Sequence, residues 1–232
     1  MRCSLRDALT ASRELEITLT GKDCGLEERA PMCGVPYHAL EGYLSKLVQK
    51  GYKVAIGEQV EDPKTAKGLV KREVIRVVTP GTITNSQALE ESKNNYLMGI
   101  VYTDGIFGIS VADVSTGDYL VTEVKSERNL IDEIYKFSPS EIICNEAFYM
   151  SGIDLDDLKN RLHAVISDLD NRFFSDEFCR KLLRDHFHVE NLEGLGLSDY
   201  ETGTIAAGAV LQYLYETQKN SLDHLTRITP YT

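Results

Sequence analysis

A mixed α/β protein of two units is what this sequence predicts. Three observations carry that expectation. Apolar residues alternate over several short stretches rich in β-formers, and in others they recur at helical spacing. A polar run from Thr84 to Asn95 then divides the chain where its charge balance changes. Residues 1–92 hold 13 basic and 13 acidic side chains, whereas residues 93–232 hold 12 and 23, so the whole net charge of −11 falls in the second part. A chain of 232 residues is long enough to bury the core of one or two domains.

The elements follow in order. Ala8 to Glu14 reads as the end of a helix, and Glu16 to Thr20 alternates as a strand. Gly21 to Arg29 is a polar loop running into a turn at Met32–His38. From Ala39 to Lys50, Leu40, Tyr43, Leu44, Leu47 and Val48 repeat at helical spacing, and Gly51 supplies the stop. Tyr52–Ile56 and Glu73–Val78 are strands; Asp62-Pro63 breaks the chain after the first and Pro80-Gly81 closes the second. Beyond the polar run come strands at Tyr96–Tyr102, Ile106–Val114 and Tyr119–Val124, joined by hairpin turns at Asp104-Gly105 and Thr116-Gly117-Asp118. A helix at Glu127–Phe137, short strands at Glu141–Cys144 and Ala164–Ser167, and helices at Asp176–His186 and Tyr200–Lys219 complete an α/β unit with a central mixed sheet.

Composition excludes several classes. No apolar run approaches the roughly 18 residues needed to span a bilayer. Arg2, Arg6, Asp7, Arg13 and Glu14 interrupt any signal-peptide core, so a cytoplasmic location is expected. The five cysteines are widely spaced, with no C-x-x-C pair, which argues against a disulfide framework or a zinc site. Cys179 with His186 and His188 comes nearest to a metal set, and it reads as scattered core and surface residues. A net negative charge argues against a DNA-coating protein, yet the balanced first part leaves room for local phosphate contacts there.

The richest stretch is Pro31-Met32-Cys33-Gly34-Val35-Pro36-Tyr37-His38-Ala39. Its glycine permits close backbone approach, and its prolines fix φ and remove N–H donors. Tyr37 and His38 stand before a helix start, where free N–H groups and the dipole favour an anion. A second group is Lys64, Lys67, Lys71, Arg72 and Arg76, which Lys46 and Lys53 would extend. Lys71 and Arg72 open a strand and are placed to reach backbone phosphates.

Taken with Ala11–Thr20, Tyr43–Val48, Gly51–Ile56, Glu58–Pro63, Val70–Val74 and Val77–Thr82, this stretch resembles the N-terminal mismatch-recognition domain of the bacterial MutS family. The resemblance is dense from Asp7 to Thr82; from Asn94 to Leu225 the chain is more loosely similar to the MutS connector, which has a ribonuclease H-like arrangement. It implies a partial recognition domain at 1–83, a linker at 84–95, a connector at 96–225 and the start of a further domain at 226–232. It also implies binding to mismatched double-stranded DNA, with Met32, Pro36, Tyr37, His38, Lys71 and Arg72 at the duplex and Met32 beside an unstacked step in the minor groove. A MutL-type partner would dock on the connector, with Gln212 as a candidate contact, and the full-length family is homodimeric and uses ATP and Mg²⁺.

Two family motifs do not occur in this sequence. There is no Phe-x-Glu, whose ring stacks on the mispaired base, and no Gly-x-x-x-x-Gly-Lys-Ser/Thr P-loop. The chain is therefore expected to be a fragment without the mismatch reader, to bind DNA weakly, and to have no catalytic residue, metal or cofactor of its own. The rival expectation is a ribonuclease H-like nuclease with an appended DNA-binding module, built on metal ions held by Asp104 and Asp113.

Overall fold

The computed structural model describes residues 2–25, 28–62, 70–83, 94–219 and 221–232. Among these, strands form sheets of three, two and six members. The first part opens with β1 (Arg2–Ser4), α1 (Arg6–Leu15), β2 (Thr20–Lys22) and β3 (Ala30–Gly34). Strand β3 is the middle of a small antiparallel sheet, flanked by β1 and β2. A 3-10 turn at Tyr37–Ala39 leads into α2 (Leu40–Gln49), and β4 (Val54–Gln59) pairs antiparallel with β5 (Arg72–Val78).

Two expectations need correcting here. Glu16–Thr20 is not a strand. Glu16 adopts a left-handed conformation that caps α1, and Ile17 N–H closes back on the Ser12 carbonyl. The alternating stretch is used up leaving the helix, so pairing starts only at Thr20. Likewise Met32 sits within a strand rather than in a turn. The loop before it is shorter than expected, because Thr20–Lys22 and Ala30–Met32 form a hairpin.

The second part is built on the six-stranded sheet, in the order β10-β9-β6-β7-β8-β11. Strands β6 (Leu97–Thr103), β7 (Ile106–Asp113) and β8 (Asp118–Val124) form the antiparallel meander. After α3 (Glu127–Phe137), β9 (Glu141–Cys144) joins β6 in parallel. The short helices α4 (Glu146–Tyr149) and α5 (Leu155–Leu162) then bring β10 (Val165–Asp168) alongside β9. Neither short helix was anticipated, although Asn145 and Asp154 are N-caps whose side chains accept from Phe148 N–H and Asp157 N–H. Helix α6 (Asp176–Phe187) precedes α7 (Glu201–Gln218). Residues 226–232, expected to open a further domain, supply β11 (Thr229–Pro230), which pairs with β8 in parallel.

One core lies on each face of the large sheet. Ile100, Ile109, Ile134, Ile142 and Phe148 fill the α3 side, and Leu97, Tyr119, Val121, Val210 and Leu214 fill the α7 side. Helix α7 has apolar or small residues nearly all round it, because the sheet covers one side and α6 the other. Small residues permit that approach. A Cβ built on Gly208 would stand 2.3 Å from Cys179 Cβ and 2.6 Å from its Cα. Gly208→Ala would normally favour a helix, but a rigid backbone contact outweighs that preference. The expected result is a loss of about 1–3 kcal/mol in urea unfolding; an unchanged midpoint would show that α6 and α7 are farther apart.

Candidate nucleic-acid interface

Each residue singled out in the first part now has a position. Met32 is half-buried in β3, and its carbonyl accepts from Thr20 Oγ1 at 2.8 Å. Pro36 caps the 3-10 turn, with its carbonyl accepting from Ala39 N–H at 3.1 Å. Tyr37 projects from that turn with 74% of its surface exposed, and His38 beside it is exposed too. The turn and α2 have no side-chain cap, but Glu41 occupies the first turn of α2. That carboxylate works against an anion at this helix start. The exposed side chains, rather than the helix dipole, are what this corner offers a ligand.

The cations divide into different roles. Lys64 and Lys67 lie outside the described residues. Lys71 is exposed and pairs with Glu73 at 2.6 Å, which raises its ammonium pKa through a side-chain hydrogen bond. Arg76 pairs with Glu41 at 3.5 Å, tying β5 to the start of α2. Lys46 lies over the Tyr43 ring at 5.6 Å. Among the described residues of this group, Lys46 and Arg72 are exposed and in no ion pair, and of the two only Lys46 lies over a ring. Arg72 sits at the outer end of the β4–β5 ribbon, opposite Gln59. Four residues of strand separate it from Arg76, or about 13 Å. The Tyr37 turn and the ribbon tip are therefore two separate exposed points.

The ribbon itself was not anticipated as a surface. Val60 and Val74 are about half exposed, and Ile75 is 38% exposed. The register slips between Ile56 and Gly57, leaving Ile75 as the extra residue of a bulge. A two-stranded ribbon carrying cations and uncovered apolar groups has the width and chemistry to enter a nucleic-acid groove. Its signal in the sequence was the mismatch between β-rich Arg72–Val78 and any clean alternation.

Lys53, read from the sequence as part of the basic patch, is engaged elsewhere. Its ammonium lies 3.1 Å from Glu141 Oε1 and 3.0 Å from the Tyr213 hydroxyl. Glu141, on β9, is completely buried. It also accepts from Tyr213 O–H at 2.6 Å and from Gly81 N–H at 3.0 Å. Burial, then the Glu141 charge, pushes the Tyr213 hydroxyl pKa up, so it stays a proton donor. Beside this knot lies a buried turn, with Thr79 Oγ1 and Thr82 Oγ1 2.7 Å apart. Asn95 Nδ2 donates to the Pro80 carbonyl at 2.9 Å. The segment that ends β5 is thus enclosed by β9, α7 and the start of the second part. Local sequence could not show this, because the partners on β9 and α7 are about 60 to 160 residues away.

The metal-bound alternative fails on geometry. Asp104 and Asp113 lie at opposite ends of β7, roughly 25 Å apart. Asp113 is 1% exposed and saturated: Oδ1 accepts from Ser115 N–H at 2.8 Å and Ser115 Oγ at 2.5 Å, and Oδ2 accepts from Asn95 N–H at 2.9 Å. Cys179 donates to Phe173 O, and His186 bridges Tyr215 and Leu225, so Cys179, His186 and His188 do not converge. Among the described residues no three acidic, histidine or cysteine groups gather as a metal site. Gln212, expected on the surface, is half-buried: its Nε2 lies 3.3 Å from Glu216, and Oε1 is buried without a partner. The cause is the near-complete covering of α7.

These features define a mixed α/β protein in which a small exposed unit is knotted onto a ribonuclease H-like sheet. The family models for MutS domain I and MutS domain II match residues 2–87 and 95–226. The chain belongs to the MutS family. It is 64% identical over 225 residues to the DNA mismatch repair protein MutS of Lachnoclostridium phytofermentans, covering 97% of this chain and 24% of that protein. The corresponding proteins of Acetivibrio thermocellus and Clostridioides difficile are 51% and 46% identical, over 26% and 23% of their lengths. The chain thus spans about a quarter of the length of the curated relatives it matches. No helix among the described residues is long and apolar enough to cross a membrane.

Proposed function

We propose that this chain forms the duplex-contacting and connecting part of a DNA mismatch-repair protein and carries out no chemistry itself. The observation that carries the reading is the exposure of Tyr37 and Arg72, with few competing partners, on a part that matches MutS domain I. Residues 1–83 would meet double-stranded DNA through Met32, Pro36, Tyr37, His38, Lys71 and Arg72, and would sense how readily it kinks. Residues 96–225 would connect that contact, across a linker at 84–95, to a MutL-type partner near Gln212. ATP, Mg²⁺ and homodimer formation would belong to the longer protein, in the cytoplasm. This chain contains no P-loop, so no nucleotide step is assigned to it.

Fluorescence anisotropy on matched and mismatched duplexes at a fixed low salt concentration tests this. Weak binding with little mismatch preference is expected, because the chain contains no Phe-x-Glu. Arg72→Ala should weaken binding to all sequences alike and lower the log–log salt slope by about 1. Binding unaffected by Arg72→Ala would remove the ribbon tip from the interface. Tight, mismatch-selective binding would refute the assigned role of the reader motif.

A further inference from the structure

We propose that Cys3 and Cys33 are a cross-strand dithiol that closes to a disulfide when the protein meets a low-molecular-weight disulfide oxidant. The two residues are direct partners in the β1–β3 ladder. Directly opposed antiparallel residues have Cα atoms about 4.5 or 5.5 Å apart, and disulfides accept roughly 4.4–6.8 Å. Their side chains already touch through a hydrogen bond, and neither is in a disulfide. Both line one apolar cavity with Ala11 and Leu15, so the pair is held facing.

Exposure sets the order of events. Cys33 is 2% exposed, and burial raises its thiol pKa. Cys3 is partly exposed and is the attacking group. Its thiolate displaces one thiolate from oxidised glutathione, forming a mixed disulfide. Cys33 then loses its proton to the departing glutathione, attacks Cys3 Sγ and expels the second glutathione thiolate. Two S–H bonds become one S–S bond, and the two electrons reside in two glutathione thiols. The other cysteines lack this arrangement. Cys144 and Cys179 are buried in the second part, their thiols pushed up to about 12 by burial, and Cys24 is exposed in the loop after β2. The bond would tie β1 to the strand carrying Met32. Transient, redox-sensing disulfides of this kind are the ones found in reducing compartments. The inference does not depend on DNA binding.

The test treats the purified chain with oxidised glutathione at pH 8, quenches with acid, and maps peptides without reduction by mass spectrometry. The expected result is a Cys3–Cys33 cross-link two hydrogens lighter than the dithiol, reversed by dithiothreitol. It should be absent in Cys3→Ser and retained in Cys24→Ser. Cys3→Ser changes the partly exposed partner, so the control does not hinge on whether Cys33→Ser folds. A stable glutathione adduct on Cys3 without cross-linking, a cross-link through Cys24, or no change at Cys3 while Cys24 is fully modified would each overturn the proposal.

Discussion

Replacing Glu141 by alanine should cost about 3–5 kcal/mol and separate the unfolding of the two parts. Removing one member of a buried ion pair strands the other, and that penalty exceeds the net value of the pair. Here three donors are stranded: Gly81 N–H, Tyr213 O–H and the Lys53 ammonium. Lys53 is one-third exposed and can turn toward water, so the larger share of the loss should come from the two buried donors. Urea unfolding followed by near-ultraviolet circular dichroism gives the total. Hydrogen exchange across Val54–Val78 shows whether the ribbon now opens before the large sheet. Tyr213→Phe removes the bonds to Glu141 and from Lys53 but leaves that ion pair in place, and should cost less, about 1–2 kcal/mol. If Glu141→Ala unfolds as one unit with wild-type stability, the knot does not hold the parts together.

The second large effect concerns Asp113. Asp113→Ala should lose about 1–3 kcal/mol, because Asn95 N–H becomes a buried donor with no acceptor, whereas the exposed Ser115 N–H can turn to water. Asp113→Asn can keep one acceptor and should fall in between. Incubating both variants and the parent with labelled duplex and Mg²⁺ or Mn²⁺ reads the competing role directly. No cleavage is expected from any of them. Cleavage by the parent that vanishes with Asp113→Ala would restore the nuclease reading.

The second part was largely legible because its elements are decided locally. Asp104-Gly105 and Thr116-Gly117-Asp118 mark hairpin turns, and α3 starts and ends where its periodicity and the Ser126 cap place it. The first part was harder, since short strands such as Thr20–Lys22 carry too few residues for a period to register. What local pattern could not give was partner choice. Lys53 belongs to the basic group by composition, yet it is drawn to Glu141 by residues that meet only in the folded chain. Gln212 looks like a polar surface residue on a helical wheel, but α7 is covered on both sides. Tyr37 and Arg72 are exposed because each stands at an outer point of the first part, the one on a 3-10 turn and the other at the end of the ribbon.

Strand β5 is clamped at Val78, which is completely buried next to the enclosed Thr79–Ile83 turn, while Arg72 at its other end stands in water. Mechanically this is a cantilever: a load on the free tip produces its greatest bending moment at the root. The slipped register at Ile56/Gly57 is the compliant point along the beam, and Glu141 grips the wall in which it is set. A load on the tip would be taken up at β9 and α7, roughly 70 and 130 residues away in sequence but packed against the root of the strand.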